Sequence, residues 1–422
     1  MGRMITGAAH SPRRLRAVFL PLLLALSLAG CAGRPEGVLI PTASAAAPGQ
    51  EVDIFVATTR QPSGDPGILF SGERGRDLEA TAITVSIPPD ANREIGEVQW
   101  PKRLPADPAK EFATVQVEPV QTEKDANRWL SRHLPPAKRV LVFVHGFNNR
   151  YEEAVYRFAQ IVHDSKADAA PVLFTWPSRA SIFDYNYDKE SANYSRDGLE
   201  RVLDQIADDP QVADVVVLAH SMGSWLTVEA LRQMAIRDGR VPGKISNVIL
   251  ASPDLDVDVF AQQFKTIGTP GPRFTLFVSR DDRALQLSRR ISGSVDRLGQ
   301  VDPTAEPYRS QFEAAGISVI DLTALESGDA LNHGKFAQSP QVVQLIGTRL
   351  LAGQEIATTN VAFGERLGAI ALGTAQTVGG VASATVSAPI AVFDPQTRRT
   401  YGEQINRVGR SIENTVISTV AQ

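Results

Sequence analysis

Ser221 is the residue around which a reaction can be built. It stands in Val215-Val216-Val217-Leu218-Ala219-His220-Ser221-Met222-Gly223-Ser224, an aliphatic run that stops abruptly at a small residue, a serine and a glycine. The run has the composition of a strand buried on both faces. Trp225 to Met234 then carries apolar residues at helical spacing. A serine between small neighbours, at a strand-to-helix turn, is a nucleophile elbow. The tight turn lifts the hydroxyl clear of the sheet, and small flanking residues let the strand and helix backbones approach. Ala219 stands where the usual pattern has glycine.

A hydroxyl is a weak nucleophile at neutral pH. It needs a base in hydrogen-bond reach, an acid to orient that base, and N–H donors for the developing oxyanion. The chain holds six histidines. His10 lies in the N-terminal leader and His133 in a polar stretch. His163 falls on an amphipathic helix, and His145 follows an apolar strand. His220 adjoins Ser221, so its ring is expected to point away from the hydroxyl. His333 alone lies downstream of the serine. Acids are offered by Asp254, Asp256 and Asp258 after the strand Ile245 to Ala251, and by Asp281 and Asp282 after the strand Arg273 to Ser279. One oxyanion donor is expected from the backbone of Met222, at the start of the elbow helix.

The elements that position these residues alternate. Val140 to Val144, Pro171 to Trp176, the elbow strand, Ile245 to Ala251, Arg273 to Ser279 and Ile317 to Leu322 read as strands. Helices are expected between them at about 150–164, 189–207, 257–266 and 283–291, with a last one near 341–351. Repeated βα units imply a parallel sheet with helices on both faces. Three earlier strands, Val52 to Thr58, Thr81 to Ile87 and a weaker Ile95 to Trp100, have no long helix between them and should pair antiparallel. The segment with Gly72, Arg74, Gly75 and Arg76 reads as a polar loop.

These features resemble the α/β-hydrolase superfamily. Further stretches resemble a poorly characterised bacterial esterase/lipase-like family: Phe55-Val56-Ala57-Thr58-Thr59-Arg60, Phe143-Val144-His145-Gly146-Phe147-Asn148, Phe174-Thr175-Trp176-Pro177-Ser178, the elbow, and Ser279-Arg280-Asp281-Asp282-Arg283-Ala284-Leu285. The likeness covers residues 51–351. It implies an α/β-hydrolase fold: a mostly parallel central sheet with antiparallel N-terminal strands and helices on both faces. It also implies the order serine, acid, histidine, with the histidine after the last strand. That selects His333 as base and favours Asp282 as acid over Asp281, Asp254 and Asp256. His145-Gly146 after an apolar strand resembles a short oxyanion loop, which makes the Phe147 N–H the second donor and His145 a structural residue. The implied activity is hydrolysis of a carboxylic ester through an acyl-enzyme, with no metal or organic cofactor. Trp176, Phe183, Tyr185 and Tyr187 are candidates for an acyl pocket.

Location is read from the leader. Residues 1–16 hold Arg3, Arg13, Arg14 and Arg16 and no acid; Ala17 to Leu28 is apolar apart from Ser27; Leu28-Ala29-Gly30-Cys31 follows. A basic segment, an apolar run too short to span a bilayer and small residues describe an export signal. The ending resembles the bacterial lipoprotein box, which implies cleavage before Cys31 and acylation of that residue. Cys31 is the only cysteine, so neither an internal disulfide nor a cysteine-based zinc site is possible. Without residues 1–30 the chain has 39 basic and 47 acidic residues, a net charge of −8. No basic block suggests a nucleic-acid partner, and the acidic body argues against electrostatic adhesion to anionic lipid. Membrane association is therefore expected through the lipid on Cys31, and Ala32 favours the outer membrane, facing the periplasm.

The expected organisation is a signal at 1–30, a flexible tether at 31–50, the hydrolase domain at 51–351 and an extension at 352–422 rich in Gly, Ala, Ser and Thr. Its stretch from Leu367 to Phe393 carries no charge, and an amphipathic helix is expected near 400–420. Two other functions fit the same residues: acyl transfer to an envelope acceptor, and a non-catalytic envelope scaffold.

Overall fold

The computed structural model describes residues 36–42, 50–325 and 329–351. The leader, Cys31 and the extension at 352–422 lie outside the described residues. The chain begins with three strands: β1 (Glu51–Pro62), β2 (Phe70–Ser86) and β3 (Ala113–Val120). Helix α1 (Glu123–His133) leads into β4 (Arg139–Val144), α2 (Tyr151–Ser165) and β5 (Ala170–Thr175). Then come α3 (Tyr185–Tyr194), α4 (Arg196–Asp208), β6 (Asp214–His220) and α5 (Met222–Asp238). The last part runs β7 (Ile245–Ala251), α6 (Val257–Ile267), β8 (Arg273–Val278), α7 (Arg283–Ile291), α8 (Tyr308–Ala315), β9 (Ser318–Asp321), α9 (Lys335–Gln338) and α10 (Pro340–Leu345).

The strands make a single sheet in the order β3-β2-β1-β5-β4-β6-β7-β8-β9. β1 pairs antiparallel with β2, and β2 with β3; every other neighbouring pair, β1 with β5 included, is parallel. This is the α/β-hydrolase fold. Because all parallel strands run the same way, their C-terminal ends share one edge of the sheet.

The apolar runs of the central strands are explained by burial on both faces. In β4, Val140, Val142 and Val144 enter one core, with α4, α5 and α6 above them. Leu141 and Phe143 enter the other, against α2 and α10. The period-two alternation of the strand distributes an unbroken aliphatic sequence between two layers.

Four expectations need correction. Ile95 to Trp100 is not a strand; the third antiparallel strand is β3, which pairs with β2 from Ala80↔Val120 to Ser86↔Ala113. The segment with Gly72 and Arg74 is not a loop, because β2 starts at Phe70 and pairs with the outer end of β1, Arg60↔Arg74 and Pro62↔Phe70. The long helix near 189–207 breaks at Ser195 into α3 and α4, and Ser195 Oγ turns back onto the Ser191 carbonyl and meets Thr59 Oγ1 at 2.7 Å. Residues 36–42 were expected within a flexible tether, yet Val38 and Leu39 are buried, and the Val38 carbonyl accepts from Tyr156 Oη and Thr114 Oγ1. Among the described residues no helix is long and apolar enough to cross a membrane.

Candidate active site

Ser221 sits between β6 and α5 with φ 53° and ψ −123°. A positive φ is strained for a residue with a side chain and is kept only where neighbours enforce it. Here the backbone does so. Ser221 N–H donates to the Ala251 carbonyl at 2.9 Å, and the Ser221 carbonyl accepts from Ser224 N–H at 3.0 Å and Asp254 N–H at 3.2 Å. The close approach expected from the small flanking residues is present. A methyl group on Gly223 would lie 2.3 Å from the His145 carbonyl oxygen, and one on Gly146 would lie 2.8 Å from Ser221 Cβ. The second contact places the His145-Gly146-Phe147 loop directly against the serine.

His333 and Asp282 are joined. His333 Nδ1 lies 2.6 Å from Asp282 Oδ2. Asp282 is fully buried, and its other oxygen caps α7 by accepting from Leu285 N–H at 2.9 Å. The His333 ring packs 4.6 Å from that of His220, the residue before Ser221. So the expected base and the expected acid lie beside the elbow, at the same sheet edge. Burial alone would depress the His333 pKa. The Asp282 carboxylate outweighs it, with smaller help from Asp254 and Asp329, and raises the pKa above its ordinary value. An imidazole held this way by a carboxylate on Nδ1 keeps its Nε2 face free to take a proton.

The alternative acids have other partners. Asp254 is buried and held by Tyr185 Oη at 3.0 Å, Ser288 Oγ at 2.5 Å and Arg297 Nε at 3.4 Å. Asp256 caps α6, accepting from Asp258 and Val259 N–H. Asp281 faces the fully buried Lys335, whose ammonium lies 2.8 and 2.9 Å from its two oxygens, and it also accepts from Asn332 Nδ2 at 2.9 Å. Lys335 donates further to the Leu322 and Thr323 carbonyls. Asp281 thereby ties the histidine loop to the acid loop, one residue from the carboxylate that holds His333.

The other expected donor loop is built on polar contacts that the sequence did not expose. His145 is neutral: burial, and then the neighbouring Arg60 guanidinium, push its pKa down to about 3. Its Nδ1–H donates to the Gly146 carbonyl at 2.8 Å, while Nε2 accepts from Trp176 N–H at 3.1 Å and faces Arg60 Nη2 at 3.3 Å. The ring stacks on Trp176 at 5.0 Å, and Trp176 Nε1 returns a bond to the His145 carbonyl. Arg60, 1% exposed, donates to the carbonyls of Asn149, Ser178 and Ser71. On the other side, buried Asp188 accepts from Asn148 N–H at 3.2 Å, Arg179 N–H at 3.1 Å and Ser178 Oγ, which itself accepts from Asn149 N–H. The loop is clamped by a cation below and a carboxylate beside it. Among the described residues, the N–H groups of Phe147 and Met222 donate to no protein acceptor.

Sequence reasoning passed over Arg60, Asp188 and Lys335. Arg60 was visible only as the end of the Phe55 to Arg60 stretch. Lys335, two residues beyond His333, gave no signal. The four aromatic candidates do not share a pocket. Trp176 is buried behind His145, Tyr185 serves Asp254, and Tyr187 lies under Arg179 at 3.6 Å. Phe183 is 92% exposed. Of the other described histidines, His133 is engaged with Asp53 and Trp129, and His163 with Asp164; His10 lies outside the described residues. Among the described residues no group of three or more His, Cys, Asp or Glu is placed to hold a metal ion.

Residues 122–349, just over half of the chain, match the family described as alpha/beta hydrolase of unknown function (DUF900). An uncharacterized protein of Nostoc sp., alr1448, is 25% identical over 133 residues, covering 26% of this chain and 34% of that protein. The aligned part thus spans about a third of that relative's length. Among solved structures, an esterase of Pyrobaculum calidifontis is similar at 13% identity and TM-score 0.33, covering 81% of this chain and 98% of the esterase. Carboxyl esterase 2 of the fungus Tuber melanosporum is similar at 11% identity and TM-score 0.33, covering 79% and 99%.

Proposed function

The chain belongs to this family of α/β hydrolases of unknown function, and we propose that it is a serine hydrolase that cleaves carboxylic esters, held in the cell envelope by a lipid on Cys31. The observation that carries the reading is the 2.6 Å contact between His333 Nδ1 and Asp282, beside a serine at positive φ.

In this reading His333 Nε2 takes the Ser221 proton as Oγ attacks the ester carbonyl. The imidazolium so formed is stabilised by Asp282. The carbonyl oxygen, now anionic, is received by the N–H groups of Phe147 and Met222, each worth on the order of 3 kcal/mol in the transition state. Collapse expels the alcohol, which takes the proton back from His333 and leaves an acyl group on Ser221. Water, deprotonated by His333, attacks that acyl-enzyme and releases the carboxylic acid and free Ser221. The clamp on the loop supports the assignment, because donors aimed at a developing charge work only if they need no rearrangement when the charge appears.

The test is hydrolysis of short p-nitrophenyl esters by the wild-type chain and by Ser221→Ala. Turnover is expected in the first and lost in the second; equal turnover in both contradicts the reading. The anchor is tested separately, by mass spectrometry of the N-terminal peptide from a Gram-negative host. An acylated Cys31 is expected, and an unmodified one contradicts that part.

A further inference from the structure

Three segments around the catalytic edge expose large apolar side chains. Ile182 and Phe183 are 57% and 92% exposed on the short 3-10 turn before α3. Leu287 and Ile291 are exposed on α7, the helix that Asp282 caps, and Leu331 is exposed two residues before His333. The segments adjoin one another. Tyr185, which follows the 3-10 turn, places its Oη 2.9 Å from Ser288 Oγ on α7, and Arg283 N–H of α7 donates to the Leu331 carbonyl at 2.8 Å. The Tyr185 ring also meets Phe147 of the donor loop edge-on, 5.3 Å away. The three segments that carry these side chains therefore lie together, beside the donor loop and the loop of His333.

Helix α7 adds a charge pattern. At 3.6 residues per turn, Arg283, Leu287, Arg290 and Ile291 fall on one face, opposite the buried Leu285. A short helix with aliphatic side chains flanked by arginines on its open face is the composition of a helix that lies in a lipid headgroup layer. The acids around this edge have partners of their own: Asp184 is paired with Arg179, Asp296 with Arg289, Asp281 with Lys335 and Asp282 with His333, and Asp329 accepts from the Leu331 and His333 N–H groups. The net charge of the chain pointed away from anionic lipid; the local distribution at this edge points toward it.

Chain connectivity agrees. Glu36 is ion-paired with Arg150 at 3.1 Å, one residue beyond Asn149 of the donor loop. Cys31 precedes Glu36 by five residues, which span at most about 18 Å when extended. A lipid on Cys31 would thus hold this same edge of the sheet close to the bilayer.

We propose that Ile182, Phe183, Leu287, Ile291 and Leu331, with Arg283 and Arg290, dock the catalytic mouth on an anionic lipid surface, so that Ser221 works on acyl esters presented in a membrane. This deepens the ester-hydrolase reading and rests on it. The test uses the full chain carrying Cys31→Ser, so that no attached lipid contributes. It compares co-sedimentation with vesicles of mixed phosphatidylglycerol and phosphatidylcholine and with phosphatidylcholine alone. Binding is expected to the mixed vesicles and to weaken without the anionic lipid. Leu287→Asp with Ile291→Asp, both exposed on α7, should lower it roughly tenfold or more, while turnover of soluble p-nitrophenyl butyrate is unchanged. Arg290→Gln should reduce only the preference for phosphatidylglycerol. Binding that the double variant leaves intact overturns the proposal. So does absence of binding by the Cys31→Ser chain, or a concentration-dependent dimer that the double variant abolishes. Loss of soluble-ester turnover in the parent chain would instead count against the hydrolase reading and leaves the vesicle result to stand by itself.

Discussion

Asp281 and Asp282 are adjacent in sequence and serve different partners: Asp281 meets the buried Lys335 ammonium at 2.8 Å, and Asp282 meets His333 Nδ1 at 2.6 Å. The turn before α7 sends the two carboxylates apart. One fixes the histidine loop and the other fixes the histidine.

That division predicts unequal effects. Asp282→Asn should lower kcat for a p-nitrophenyl ester by about a thousandfold or more, since the amide cannot stabilise the imidazolium and favours the wrong tautomer. Asp281→Asn keeps the shape and several bonds, so kcat should fall less than about tenfold, with a loss of stability of about 1–3 kcal/mol. Steady-state kinetics and urea melts of the two variants decide the matter. A larger kinetic loss in Asp281→Asn would reverse the assignment.

Arg60 should matter to both folding and rate. Arg60→Met leaves the carbonyls of Asn149, Ser178 and Ser71 without their buried donor. A destabilisation of about 3 kcal/mol or more is expected. Burial already lowers the Arg60 pKa to about 10, with Glu152 and Asp188 opposing that shift, and the two Nη groups, though not Nε, find acceptors in the surrounding carbonyls. Arg60→Lys should restore part of the stability and less of kcat, because one ammonium cannot span the same carbonyls. Wild-type stability in Arg60→Met would rule out the clamp.

The pH profile follows from His333. The base role proposed for it requires the neutral ring, and its pKa lies above the ordinary 6.5. kcat/KM should therefore fall on the acid side with a midpoint above that value. Asp282→Asn removes the main raising influence and leaves burial, so the midpoint should move to lower pH in the residual activity. For folding the sign is opposite. The raised pKa favours the protonated ring in the folded chain, so this stabilising contribution is complete below 6.5 and disappears as pH rises through the folded value. An acid limb unmoved in Asp282→Asn would separate His333 from the rate.

Two glycines separate fold from chemistry. Gly223→Ala puts a methyl group 2.3 Å from one backbone carbonyl oxygen and 2.7 Å from another, so α5 must move off β4. Poor folding or a clearly lowered Tm is expected. Gly146→Ala meets Ser221 Cβ at 2.8 Å and His220 Nδ1 at 2.9 Å, both side-chain atoms. That change should cost activity more than stability. Thermal melts run beside ester kinetics test the contrast, and equal Tm losses would count against it.

Much of this arrangement was legible from residue types. β4 and β6 announce themselves because a strand covered on both faces is apolar along nearly its whole length. The elbow was visible because strand, small residues and helix meet within ten positions. The antiparallel edge was harder. The outer half of β2 is exposed and rich in Gly and Arg, and its strand state comes from pairing with β1 rather than from local preference. α1 did carry a signal, Thr122 three residues before Asp125, and Thr122 Oγ1 caps that helix. Lys335 and Arg60 had none that composition reveals, because a buried cation is defined by the carbonyls that the fold brings to it.

The central claim is that Ser221 is an activated nucleophile. Treating the folded full-length chain with a fluorophosphonate and locating the adduct by mass spectrometry tests it most directly. The account predicts stoichiometric modification of Ser221, slowed by orders of magnitude in His333→Ala. An unmodified Ser221, or labelling that His333→Ala leaves at full rate, would contradict it.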